Sequence, residues 1–110
     1  MKYLCLVYLD KEHWSAIADR ECANCGDGLR RSGKLLAAEP LEQPETATSV
    51  RIRNGTLSIT DGPFAETKEQ LAGFYLVDAA DLDEAIDIAS KIPPAREGTI
   101  EVRPVRELRP

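Results

Sequence analysis

KYLCLVYL, residues Lys2–Leu9, is apolar at every position after Lys2 and carries aromatic or branched side chains on both alternate sets. Seven such residues are too few for a typical helix, and a strand whose two faces are both apolar must be covered on both. The residues that follow decide what covers it. From Ser15 the spacing changes: Ala18, Cys22, Cys25 and Leu29 fall at offsets of four, three and four, the single stripe of a helix that Ser15 would cap and Gly33 would stop. Lys34–Ala38 (KLLAA) reads as a second strand, and Pro40 and Pro44 mark a loop. Ser49–Arg53 and Thr56–Thr60 alternate around Asn54-Gly55, the residue pair of a type I′ turn, with Val50, Ile52, Leu57 and Ile59 on one face. A loop over Asp61–Phe64 leads to a strand at Gly73–Asp78. Asp81 and Glu84 have capping-box spacing and open a helix whose expected stripe is Leu82, Ala85, Ile86 and Ala89. Pro93-Pro94 ends that helix, and Thr99–Val105 is the last strand, with Pro104 placing it at an edge or a strand end.

Strand, helix, strand, hairpin, strand, helix, strand is a ferredoxin-like βαββαβ order with an inserted hairpin, an α+β fold in one domain of residues 1–110. Two helices cover one face of such a sheet. The second apolar face of Lys2–Leu9 therefore calls for a second copy of the chain, and two sheets packed face to face would make a homodimeric α+β barrel.

Composition narrows the partners. A net charge of −5 disfavours the phosphates of nucleic acid, and Arg30, Arg31, Lys34, Arg51 and Arg53 are interspersed with acids, as on a solvated surface. No apolar run is long enough to span a bilayer, and the start lacks the pattern of an export signal, so no membrane role and a cytoplasmic location are expected. Three cysteines, an odd number, suggest reduced thiols rather than a disulfide framework. Cys22-Ala-Asn-Cys25 has CxxC spacing, but it falls in mid-helix on the core stripe, and with Cys5 and His13 it makes no zinc-ligand pattern; core packing is the expected role, with no metal and no cofactor. His13, the sole histidine, lies in a polar stretch with no neighbour in sequence that orients it. Phosphate-binding, nucleophile-elbow and zinc-protease motifs are absent.

One segment is chemically distinctive. Asp61-Gly62-Pro63-Phe64-Ala65-Glu66-Thr67-Lys68-Glu69 joins a stiffened turn to four ionisable groups. A rigid turn can hold Asp61 as a general acid or base, with Glu66, Lys68 and Glu69 as counter-charges or ligands to a polar molecule. Alternatively Asp61 accepts backbone hydrogen bonds in a structural turn while Phe64 plugs the core.

This segment, continued through Gln70-Leu71-Ala72-Gly73-Phe74-Tyr75, resembles the YCII-related proteins of the branch marked by the DGPF motif. MKYLCLVY at the start, SGKLLAAEPL ending at Leu41, DLDEA ending at Ala85 and IEVRPV ending at Val105 carry the resemblance across nearly the whole chain. It implies a dimeric α+β barrel. It also implies a histidine and an aspartate near a cleft, although here Cys22 stands at about the place where the archetype has its histidine on the first helix. Carried over onto this chain, the resemblance makes Asp61 the candidate catalytic residue, with Phe64, Glu66, Lys68, Glu69 and Arg103 as candidate ligand-binding neighbours. Two functions follow from it: a cofactor-free enzyme acting on a small polar ligand, or a binding module associated with an extracytoplasmic-function sigma factor.

Overall fold

In the computed structural model, which describes all residues from Met1 to Pro110, strands β1 (Lys2–Asp10), β2 (Leu35–Pro40), β5 (Glu69–Asp78) and β6 (Thr99–Pro104) form one antiparallel sheet in the order β2-β5-β1-β6. Helices α1 (Asp19–Arg31) and α2 (Leu82–Ser90) complete the ferredoxin-like arrangement. Strands β3 (Thr48–Arg53) and β4 (Thr56–Asp61) form a separate two-stranded sheet.

The pleat of β1 separates two environments. Tyr3, Cys5, Val7 and Leu9 are buried, whereas Leu4, Leu6 and Tyr8 on the alternate face are half-buried. Cys5 stands opposite Tyr75 and Val102, and Tyr3 opposite Val77, so the buried set continues across the sheet. Ala85, Ile88, Ala89 and Ile92 pack with this set. The other face carries the pairs Leu4–Leu76, Leu6–Phe74 and Tyr8–Leu71, with Ala72 left over at a bulge after Val7. The helix residues of the core, Ala85, Ile88 and Ala89 with Cys25 and Leu29 beside them, pack on the opposite face.

The hairpin follows its sequence closely. Asn54 at φ 52° and Gly55 at φ 75° make the type I′ turn between β3 and β4. Val50 pairs with Ile59 and Ile52 with Leu57 on one face. Contrary to a hairpin with one face covered, every residue from Val50 to Asp61 is exposed.

Both helices differ from their sequence reading. α1 begins at Asp19, four residues after Ser15, because Asp10 caps a 3-10 turn over Lys11–His13 that occupies the approach. Ile17 is buried in this approach and Ala18 is exposed. Gly33, at φ 77°, reverses the chain after α1 as expected, with Gly33 N donating to Arg30 O. In α2 the buried stripe is Ala85, Ile88 and Ala89, while Leu82 and Ile86 are half exposed. Ala85 and Ala89 belong to either stripe, and docking on the sheet selects the one that Ile88 completes.

Asp81 does cap α2: its carboxylate accepts from Glu84 N at 2.9 Å. Glu84 reaches back to Ala80 N at 3.1 Å and also accepts from Lys34 Nζ at 2.9 Å. Asp81→Ala is expected to cost about 1 kcal/mol, the usual value of an N-cap, read as a lowered urea midpoint with unchanged slope. An unchanged midpoint would show that the Glu84 contacts alone secure this end of the helix.

Candidate acid-base site

Asp10 ends β1 and sets the geometry of the turn that follows. With its own backbone extended, its Oδ1 accepts from the backbone N–H of His13 at 2.9 Å and lies 2.6 Å from His13 Nδ1. A short side chain three residues before the imidazole can cap the turn and grip the ring at once. The other ring nitrogen, Nε2, lies 3.6 Å from Glu97 Oε2, which is delivered by the 3-10 turn Pro93–Arg96. His13 thus stands between two carboxylates that are far apart in sequence.

The loop into β5 and the start of β6 reach the same end of the sheet. Glu69 is the register partner of Asp10, and its Oε1 accepts from Thr99 Oγ1 at 2.7 Å. Thr99 in turn pairs with Tyr8. Lys68 lies close enough for its charge to stabilise the Asp10 carboxylate.

The electrostatics follow from this crowding. The hydrogen bond from His13 holds the Asp10 pKa below the ordinary carboxylate value, helped by the His13 and Lys68 charges. The same hydrogen bond raises the His13 pKa above its ordinary 6.5, with Coulombic support from Asp10, Glu97 and Glu12. The raised His13 pKa contributes stability that is full below about pH 6.5 and lost as pH rises through the folded value. The lowered Asp10 pKa contributes stability above the ordinary carboxylate value of 3.8 that is lost as pH falls through the folded one. The pair is therefore most favourable in mildly acidic solution.

Chemically, Asp10 fixes the tautomer. When the ring is neutral, Nδ1–H donates to Asp10 and the Nε2 lone pair is left to take a proton; when it is protonated, Nε2–H is the acid. His13 is half-exposed, so a small molecule can approach it.

The residues singled out in the DGPF segment are divided by the fold. Lys68 and Glu69 belong to the Asp10–His13 end of the sheet, Glu69 inside β5 rather than in a loop. Asp61 closes the hairpin opposite Thr48 and is exposed. Gly62, at φ 109°, donates its N–H to Ala47 O at 2.7 Å and accepts from Ser49 Oγ at 2.8 Å, so the turn fastens the hairpin base. Phe64 is 81% exposed and does not plug the core. Glu66 is exposed too, while Gln70 Nε2 braces the loop by donating to Ala65 O and Thr67 O at 3.0 and 3.1 Å. Arg103 pairs with Glu101 at 3.0 Å and faces Leu4 in register, six residues along β1 from Asp10. At about 3.3 Å per residue that is roughly 20 Å, so Arg103 is not a neighbour of Lys68 and Glu69 within one chain.

The cysteines also shift. Because α1 starts late, Cys22 is its fourth residue rather than a mid-helix one. Burial nevertheless raises all three thiol pKa values, that of Cys5 to about 11, and all three thiols are free. Protonated thiols suit packing better than thiolate chemistry.

The sequence model of the YCII-related domain matches residues 1–109. The chain belongs to the YCII-related family. An uncharacterized protein of Rhizobium meliloti (strain 1021) is 39% identical to this YCII-related chain over 119 residues, covering 100% of the chain and 96% of the relative. No helix of the YCII-related chain is long and apolar enough to cross a membrane.

Proposed function

We propose that this YCII-related chain, with the DGPF segment of its branch, is a cofactor-free enzyme that moves a proton on a small polar molecule, with His13 as acid and base and Asp10 as its orienting partner. The observation that carries the reading is the 2.6 Å contact between Asp10 Oδ1 and His13 Nδ1, which leaves Nε2 at a half-exposed surface. Lys68 and Thr99 beside the pair supply a cation and a hydroxyl with which to hold polar substituents. Asp61, assigned the catalytic role from the family motif, is the competing base in the same reaction class; the geometry favours His13 because Asp10 holds its ring at 2.6 Å.

His13 is the sole histidine, so its ring protons report without ambiguity in an NMR titration. Its midpoint is expected above 6.5, returning toward 6.5 in Asp10→Asn. A wild-type midpoint at or below 6.5 would contradict the pairing. Small polar metabolites screened against the ring signal should include one that shifts it in the wild type and in Asp61→Ala. Turnover of that molecule is expected to fall about 10²- to 10⁴-fold in His13→Gln, the usual worth of a general acid-base group. Full turnover in His13→Gln together with loss in Asp61→Ala would move the catalytic role to Asp61.

A further inference from the structure

The turn Pro93–Arg96 is anchored in the core at one end only. Pro93 and Pro94 are buried, whereas Arg96 and Glu97 at its far end are exposed. Glu97 N and Gly98 N both donate to Pro94 O, at 3.0 and 2.9 Å. Those bonds close the backbone turn but do not direct the Glu97 side chain. The residue beside it is directed. Arg96 donates from Nη1 and Nη2 to the two carboxylate oxygens of Glu21, at 2.5 and 3.1 Å. Glu21 lies in the first turn of α1, where Ile17 is buried just ahead of the helix and Glu21 N donates to Ala18 O at 3.0 Å. Two contacts therefore join the same two segments of chain: His13 with Glu97, and Glu21 with Arg96.

We infer that Glu21 and Arg96 are positioning residues for the acid-base site, their bridge setting the end of the Pro93–Arg96 turn so that Glu97 faces His13 Nε2; this rests on the reading of His13 as the acid-base group. A bidentate guanidinium–carboxylate pair fixes the planes of both groups, which a single-point contact does not. As a solvent-exposed pair it adds little to stability, and its effect is on direction. Charge gives Glu21 a second part. Arg96 and Glu97 are adjacent and feel each other's charge, so a guanidinium released from Glu21 would draw the Glu97 carboxylate away from His13. The charged groups that face His13 are Asp10 from β1, Glu12 from its own turn and Glu97, with Lys68 acting on Asp10. Of these, Glu97 alone adjoins the bridge.

Titration of the His13 ring signal in the full chain, at about 0.15 M salt to screen distant charges, tests it because charge and position act with opposite signs. Loss of a nearby cation, by charge alone, raises an imidazole midpoint, whereas loss of the Glu97 contact lowers it. Arg96→Gln is expected to lower the midpoint by about 0.3 pH unit, the scale of one exposed ion pair. Glu97→Gln should lower it as much, and the double variant no further than either. Glu21→Gln, which frees Arg96 from the other side, is expected to lower it too. The far-ultraviolet spectra should not change, since the two side chains of the bridge are 43 and 57% exposed. A midpoint unchanged or raised in Arg96→Gln would overturn the inference. So would a double variant in which the two falls add, because Arg96 would then act without Glu97. Both of those results leave the acid-base reading of His13 standing, whereas a wild-type midpoint at or below 6.5 would remove that reading and this inference with it.

Discussion

Gly98→Ala is expected to destabilise the fold by about 3 kcal/mol or more, the upper end for inserting a methyl group into a packed site. A Cβ on Gly98 would fall far inside the van der Waals envelope of the Tyr8 carbonyl oxygen, 2.9 Å from Leu9 Cδ2 and 3.1 Å from Tyr8 C. None of these atoms has room to retreat. Tyr8 is clamped by pairing to Leu71 on one side and Thr99 on the other, and Leu9 is buried. Gly98 is itself tied down by its N–H, which donates to Pro94 O at 2.9 Å. Strand β6 would have to move away from β1 at the point where Glu97 and Thr99 meet His13 and Glu69. Two readouts should therefore change together: the urea midpoint falls, and the His13 midpoint drops toward 6.5 as Glu97 withdraws. A loss of stability below about 1 kcal/mol would mean that β6 can slide without cost, and the close approach would then have no role in shaping the site.

This glycine was silent in the sequence. Gly98 does not occupy a conformation reserved for glycine, and it follows a proline-rich turn in which any small residue would have looked acceptable. Its necessity comes from a strand almost ninety residues earlier. The strands themselves were legible because alternation acts locally: the pleat sends neighbouring side chains to opposite faces whatever lies beyond. The hairpin was legible from Asn54-Gly55 for the same reason, since the positive φ values of a type I′ turn are a property of two residues. Whether its apolar face is covered is not a local property, and alternation alone does not decide it.

The helices and the site show where the local argument stops. Ser15 is a good capping residue, but Asp10 had already begun a shorter turn, and a cap is decided by which backbone N–H groups are free to receive it. The DGPF segment drew attention because its charges are concentrated in sequence, yet Gly62 and Pro63 shape the base of the hairpin while Lys68 and Glu69 run on to a different place. The half of the acid-base pair that sequence could have supplied is Asp10-x-x-His13, an aspartate at capping distance just after a strand. Glu97 could not have been supplied, because it reaches His13 only through the antiparallel pairing of β6 with β1. Catalytic geometry of this kind becomes visible once register is known.

Ile92→Ala is expected to cost about 3–5 kcal/mol, within the range for truncating a large buried aliphatic side chain. Ile92 is 1% exposed and sits where α2 passes into the Pro93–Arg96 turn. Its N–H donates to Ala89 O and its carbonyl accepts from Ala95 N, so the backbone cannot settle inward. The core around it includes Ala79, Ala85 and Ala89, whose methyl groups have no rotamers with which to fill a void. A cavity that cannot collapse retains its full volume, which places the expected cost in the upper part of the range. Ile86→Ala provides the contrast: the same atoms are removed from a side chain that is 50% exposed, and a loss below about 1 kcal/mol is expected. Equal losses at the two positions would mean that α2 buries the stripe read from its sequence rather than the one through Ile88. The Ile92 variant should also leave the Asp10–His13 contact intact while loosening Glu97. A His13 midpoint lowered only in part, and lowered further by Asp10→Asn, would then separate the contribution of the local pair from that of the distant carboxylate.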